Sequence, residues 1–222
     1  GMDKRSQCAK CGLSRKDSLC HNPDGVAPAF CATKNCGDVI ARSEELYQEE
    51  EIRRFAAEAA RQSASRGIRD PETGALLAVK PRIQEIIEFC RRMNYTHLGL
   101  AFCGALRPEG KAVGALLEKR GFQVTSVMCK VGGLDRACVG VCAEEGEKQP
   151  PLCNPIGQAL ILNEAGTEFN ILLGLCVGHD SLFLKYAQAM CTVFAVKDRV
   201  TGHNPLAAIY TLDTLYSRLK ED

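Results

Sequence analysis

Apolar positions follow three different regimes along this chain. Residues 1–42 show neither a helical nor an alternating apolar period, and they hold Gly12, Pro23, Gly25, Pro28 and Gly37. Such a segment cannot bury a core of its own, so something else must order it. From Ser43 to Ser65 the spacing of Leu46, Ile52, Phe55, Ala56, Ala59 and Ala60 predicts a helix. Ser43 is its expected N-cap, with Glu44 and Glu45 in the first turn. Gly67 reads as its stop, and Asp70-Pro71-Glu72-Thr73-Gly74 as a turn. A second helix is expected from Pro81, because Ile83, Ile86, Ile87 and Cys90 fall on one helical stripe. Cys90 is therefore expected in the core.

After Asn94 the chain alternates between short apolar runs and helical periods. Strands are predicted at His97–Phe102, Phe122–Met128, Phe169–Leu175 and Thr192–Val196. Helices are predicted at Lys111–Arg120, Asn154–Ala165 and Ser181–Ala189. A closing helix follows Asn204 and Pro205, through Leu206, Ile209, Leu212 and Leu215. Strand and helix alternating at this spacing imply right-handed crossovers. The expected fold is α/β: a Rossmann-like, doubly wound parallel sheet of about four strands, preceded by a cysteine-rich metal-binding segment and two helices. The expected divisions are 1–42 (cysteine-rich zinc knuckle), 43–94 (helical connector packed on the core) and 95–222 (parallel-sheet domain).

Composition narrows the function classes. The 222 residues are 45% hydrophobic and 25% charged, and 28 basic against 27 acidic residues leave a net charge of +1. That balance argues against a nucleic-acid binder or a polybasic membrane anchor. No apolar run reaches the length of a membrane span, and the N-terminal residues lack a signal-peptide core, so a cytoplasmic protein is expected. Thirteen cysteines are the unusual count. In a reducing compartment they point to metal ligation or thiol chemistry rather than to a disulfide framework.

Five of the cysteines, Cys8, Cys11, Cys20, Cys31 and Cys36, lie within the segment that has no core. Cys8-x-x-Cys11 is the start of a knuckle, two thiolates on one tight turn. Zinc in a closed thiolate tetrahedron is the natural occupant, and its binding supplies folding free energy directly. The favoured ligands are Cys8, Cys11, Cys20 and Cys31, with Cys36 as alternate and His21 as a substitute; an iron–sulfur cluster needs the same ligands.

A second set emerges only from topology. Cys103, Cys129 and Cys176 each follow a predicted strand, so in a parallel sheet they share the carboxyl edge, where open α/β sheets bind ligands. Cys153 precedes the Asn154–Ala165 helix, whose N-terminus faces the same edge and favours a thiolate. These four are the expected cofactor ligands, for a second metal or an iron–sulfur cluster. Cys191 starts its strand and belongs to the opposite edge, as core. Cys138 and Cys142 are spare thiols in the long connection.

Other polar groups collect at the carboxyl edge. Gly174-x-Cys176-x-Gly178 after a strand has the outline of a nucleophile elbow. His179 or His203 would be its base and Asp180 or Asp198 the orienter, in a cysteine-nucleophile hydrolase or transferase. A non-catalytic sensor or adaptor presenting the acidic Glu44–Glu51 helix is the third class. Cys103-Gly104-Ala105-Leu106-Arg107-Pro108 lacks the glycine spacing of a dinucleotide fingerprint. The expected partner is an unknown small molecule or a redox partner.

The CxxC-led start, Cys153-Asn154-Pro155-Ile156-Gly157-Gln158-Ala159, the Gly174–Asp180 run and the Lys197–Pro205 run together resemble an uncharacterised family of bacterial metal-binding proteins. The resemblance implies a metal-binding, cysteine-rich N-terminus and no established reaction.

Overall fold

The computed structural model describes residues 5–141 and 150–221; Cys142 lies outside them. The chain divides into two compact units, one ending at Ala64 and the other beginning at Ser65.

In the first unit a single 3-10 turn, Cys8–Lys10, is followed by α1 (Ala32–Asn35), α2 (Gly37–Leu46) and α3 (Glu50–Ala64). The one helix expected from Ser43 is thus two. Ser43 is not a cap but sits inside α2, where its hydroxyl donates to the Ile40 carbonyl at 2.7 Å. The chain breaks at Tyr47–Glu49. Glu45 and Glu49 would stand one turn apart in a continuous helix, where like charges destabilise it. After the break, Glu50 and Glu51 occupy the first turn of α3, where the helix dipole favours them.

The second unit opens with a hairpin, β1 (Gly67–Arg69) antiparallel to β2 (Leu76–Ala78). Its turn is the predicted one: Asp70 Oδ1 accepts the N–H groups of Glu72 and Thr73. The helix α4 (Arg82–Arg92) follows, with Pro81 at its N-cap and Ile86, Ile87, Phe89 and Cys90 buried. Then come β3 (His97–Phe102), α5 (Arg107–Lys119), β4 (Gln123–Met128), α6 (Pro155–Glu164), β5 (Phe169–Leu175), α7 (His179–Tyr186), β6 (Met190–Val196) and α8 (Leu206–Tyr210).

The four long strands form a parallel sheet in the order β4-β3-β5-β6, as the α/β reading requires. Alternation along β3 assigns the faces. Ala101 points to the face where Ala159 and Leu162 of α6 and Phe183 of α7 pack with Val127 and Leu172. Phe102 points to the other, where a Cβ on Gly110 of α5 would stand 2.9 Å from its ring, so only glycine lets that helix approach. Phe89 of α4 meets Phe169 on this second face, ring centroids 5.5 Å apart. Helices on both faces make the sheet doubly wound. The strand order reverses between β3 and β5, so the topological switch point lies at their carboxyl ends.

The closing helix is shorter than its apolar period predicts: α8 ends at Tyr210, and turns replace the rest. Thr211 Oγ1 donates back to the Ala207 carbonyl at 2.8 Å, a side-chain bond that competes with helical continuation.

Candidate functional site: thiols and cations at the carboxyl edge

The motif from Cys153 to Gln158 is a device that seats one thiol beside another. Asn154 caps α6, its Oδ1 accepting the Gly157 N–H at 2.8 Å. A Cβ at Gly157 would stand 2.3 Å from the Asn154 amide, so the cap needs glycine there. The Asn154 N–H donates to the Cys129 carbonyl at 2.7 Å and its amide donates to the Val131 carbonyl at 3.3 Å. These bonds stitch the start of α6 to the end of β4. Gln158, fully buried, donates through Nε2 to the Val127 carbonyl at 2.7 Å and the Phe102 carbonyl at 3.2 Å. One side chain thus ties α6 to the carboxyl ends of two strands. Cys153 Sγ consequently lies 3.8 Å from Cys129 Sγ.

Cys129 is buried, and its sulfur accepts the Gly104 N–H at 3.2 Å. Burial pushes its thiol up to about 11, against the Gly104 N–H, with the neighbouring Cys153 and Cys103 sulfurs adding to the rise. Cys103 follows β3 and takes the N-cap position of the short 3-10 turn Gly104–Leu106. Burial works to raise its pKa as well, but the Ala105 N–H, the Lys197 ammonium and the Cys129 thiol outweigh it and hold it below the ordinary value. Three thiols from three chain segments therefore share one neighbourhood.

The fourth thiol enters by a bulge. The β5–β6 register shifts between Leu172 and Leu175, and Gly174 takes φ +68°. A Cβ there would stand 2.2 Å from Leu106 Cδ1, so glycine is required both by conformation and by space. The same position lies 3.6 Å from Lys197 Nζ, which places the ammonium over the end of β5. Cys176 then accepts a hydrogen bond from Arg199 Nη2 at 3.5 Å. That bond and the Cys176 charge raise the Arg199 pKa, with smaller contributions from Cys103 and Cys153.

The expected acid–base groups are placed otherwise. Asp198 Oδ1 accepts the N–H groups of Val200 and Thr201, both at 3.0 Å, and these bonds, Thr201 first, lower its pKa. His203 adopts φ +68°; its Nδ1 accepts the Asp198 N–H at 3.1 Å and its own N–H donates to the Asp198 carbonyl at 2.8 Å. Asp198 and His203 thus close the loop that carries Arg199. Asp180 Oδ1 accepts the Ser181 N–H at 2.8 Å at the start of α7, where His179 is the first residue. The His179 N–H donates to the Cys176 carbonyl at 3.0 Å, but among the described residues neither histidine ring hydrogen-bonds to the Cys176 sulfur. Its partner is the arginine, which sequence reasoning passed over; the signal was the Lys197-Asp198-Arg199 run directly after a strand.

In the first unit the Cys11 N–H donates to the Cys8 carbonyl at 3.0 Å, the tight turn that CxxC spacing implies. Cys31 caps α1, and the N–H of Lys34 lowers its pKa. Cys20 Sγ lies 3.3 Å from His21 Nδ1 and Cys36 Sγ 3.6 Å from Ser6 Oγ. Among the described residues no three His, Cys, Asp or Glu side chains are arranged to hold one metal ion, so neither Cys8, Cys11, Cys20, Cys31 and Cys36 nor the edge set forms an assembled coordination sphere. The remaining described thiols are packing or surface. Cys90 is fully buried and pushed up to about 12 by burial, Cys191 is half-buried against the Ala189 carbonyl, and Cys138 is exposed.

No helix among the described residues is long and apolar enough to cross a membrane. The solved structures give no match to the chain. Over 133 residues, 60% of this chain and 68% of the relative's length, it is 53% identical to the "Uncharacterized protein MJ0455" of Methanocaldococcus jannaschii. That relative is archaeal, whereas the resemblance drawn from the motifs was to bacterial proteins. A family model described as "Protein of unknown function (DUF1847)" matches residues 31–194, a span that takes in all four edge cysteines. The chain therefore belongs to the DUF1847 family of proteins of unknown function.

Proposed function

We propose that the chain is a thiol protein whose working centre is the carboxyl edge of the sheet. In this reading Cys129 and Cys153 form a two-electron dithiol, Cys103 supplies a stabilised thiolate beside them, and Cys176 is the more open thiol. The observation that carries it is the 3.8 Å approach of Cys153 Sγ to Cys129 Sγ, made by residues remote in sequence. The guanidinium at Cys176 argues against a base-assisted hydrolase, which needs an imidazole within reach of the sulfur. Oxidation joins the two sulfurs with loss of two protons and two electrons to an external acceptor, such as a small-molecule disulfide that is reduced to two thiols. The test is equilibration of the reduced protein with oxidised and reduced glutathione, followed by peptide mapping. A Cys129–Cys153 bond, formed reversibly, is expected; failure of Cys129 to pair with any cysteine overturns the reading.

A second reading keeps the metal. Thiolates bound to one zinc at about 2.3 Å stand about 3.8 Å apart around the tetrahedron, which is the Cys129–Cys153 separation, whereas corners of an iron–sulfur cube lie farther apart. In the first unit the Cys8–Cys11 turn and the lowered Cys31 thiol favour zinc on Cys8, Cys11, Cys20 and Cys31 or Cys36. Elemental analysis and absorption spectra of protein purified without oxygen and without a histidine tag separate the cases. One zinc per chain supports the N-terminal site alone, more than one supports the edge as well, and iron with visible charge-transfer bands supports a cluster.

A further inference from the structure

Among the described residues no carboxylate forms an ion pair with either cation at the edge. Ion pairs among the described residues join Glu58 to Arg61, Lys80 to Glu88 and Asp213 to Lys220, and none takes Lys197 or Arg199. Asp198, between them in sequence, gives Oδ1 to the backbone of its own loop. Both cations turn instead onto thiols: Arg199 Nη2 to Cys176 Sγ at 3.5 Å, and Lys197 over the end of β5, facing Cys103. Cys103 and Cys129 are buried, whereas Cys153 and Cys176 are half-buried; of these two Cys176 carries the guanidinium and adjoins Val177, which is 93% exposed. Cations held beside a partly sheltered nucleophile concentrate anions there and repel cations.

We infer that the carboxyl edge takes anionic, thiol-reactive substrates, with Arg199 and Lys197 as the groups that bind the negative charge and Cys176 as the sulfur presented to it. The inference rests on the reading of this edge as a thiol centre and adds the class of substrate. Lys197, half-buried, is the inner cation; Arg199, exposed, is the outer one.

Iodoacetate and iodoacetamide carry the same electrophilic carbon and differ in charge. With either, the Cys176 thiol loses its proton to solvent, the sulfur bonds to the CH2 carbon, and iodide leaves with the electron pair of the C–I bond. The experiment measures the ratio of the two rates at Cys176 by mass spectrometry, on the full chain, reduced and in chelator. N-acetylcysteine in the same solution is the reference. The iodoacetate-to-iodoacetamide ratio at Cys176 should exceed the reference by roughly tenfold at low salt and fall towards it as salt screens the cations. Arg199→Gln and Lys197→Gln should each lower the ratio, and Arg199→Lys should restore most of it. Cys90 is the folding control, since a fully buried thiol stays unlabelled in any variant that keeps its core. A ratio equal to the reference, or one insensitive to Arg199→Gln in a folded variant, overturns the anionic substrate and leaves the thiol centre standing. A Cys176 that reacts with neither reagent overturns both.

Discussion

Cys8 and Cys11 are three residues apart, and Cys129 and Cys153 are twenty-four apart, yet the second pair is the one with sulfurs in contact. The two sets are built by different physics. At the edge, hydrogen-bonded strands, a capped helix and the Gln158 clamp hold the backbone of each cysteine, so the thiols meet without a ligand to gather them. In the N-terminal segment most backbone bonds are local turns, such as Cys11 to Cys8 and Cys31 to Pro28, with few longer ones such as Gln7 to Phe30, and the thiols start turns or touch polar groups. Spacing in sequence places ligands within reach of an ion; only a folded scaffold places them in contact beforehand. That difference is why the proposed readings give the first set to a metal that folds it and the second to chemistry on sulfurs already positioned.

The sharpest way to break that contrast is to add and then strip zinc. Structural zinc on a small segment contributes on the order of 10 kcal/mol. In zinc-loaded protein the amides of residues 8–36 should be protected from exchange, and a chelator should abolish that protection while β3 and β5 keep theirs. Hydrogen exchange read by mass spectrometry decides it. Loss of protection in β3 and β5 on chelation would mean that the sheet depends on the metal, and the contrast would fail.

The next largest effect is on the scaffold itself. Phe183 of α7 is fully buried against α6 and the sheet. Phe183→Ala should cost about 3–5 kcal/mol in urea unfolding, through lost burial and the cavity left behind. Cys8→Ala in metal-free protein removes an exposed side chain and should cost under about 0.5 kcal/mol. If the two variants are equally destabilised, the N-terminal segment has a core of its own.

What could be read before the coordinates follows the same division. Strands β3 and β5 lie where their unbroken apolar runs put them, because a strand buried on both faces leaves no ambiguity of period. That alone placed Cys103 and Cys176 on one edge, and the run that forms β4 added Cys129. The hairpin β1–β2 was visible only as its turn, since three-residue strands carry no period. The break at Tyr47 was hidden because apolar spacing continues across it while the charge pattern does not. Arg199 was missed for a different reason. Its role depends on a loop closed by Asp198 and His203, and the φ +68° at His203 has no signature in a residue that is not glycine. Histidine and aspartate after a strand suggest catalysis by type, whereas in space Asp198 and His203 close the loop that carries the arginine.

The smallest predicted effect isolates a cysteine used as packing and nothing else. Cys90 lies fully buried on the inner stripe of α4, and burial lifts its thiol from 9.0 to about 12. The folded state therefore holds the proton where the unfolded chain has lost it. That contribution to stability is complete below pH 9, declines as pH rises from 9 towards 12, and is gone above it. At pH 10 the loss is about 1.4 kcal/mol, set by ionisation of the unfolded thiol, one unit above its pKa. Urea unfolding at pH 8 and pH 10 should show this decrement in the parent chain, with Cys90→Ala, less stable at both pH values, showing that much less of it. An equal decrement in both proteins would mean that the alkaline loss comes from elsewhere, and the leading source would then be Cys129, whose thiol is raised to about 11. In that case the edge dithiol, and not the core, would set the alkaline limit of the fold.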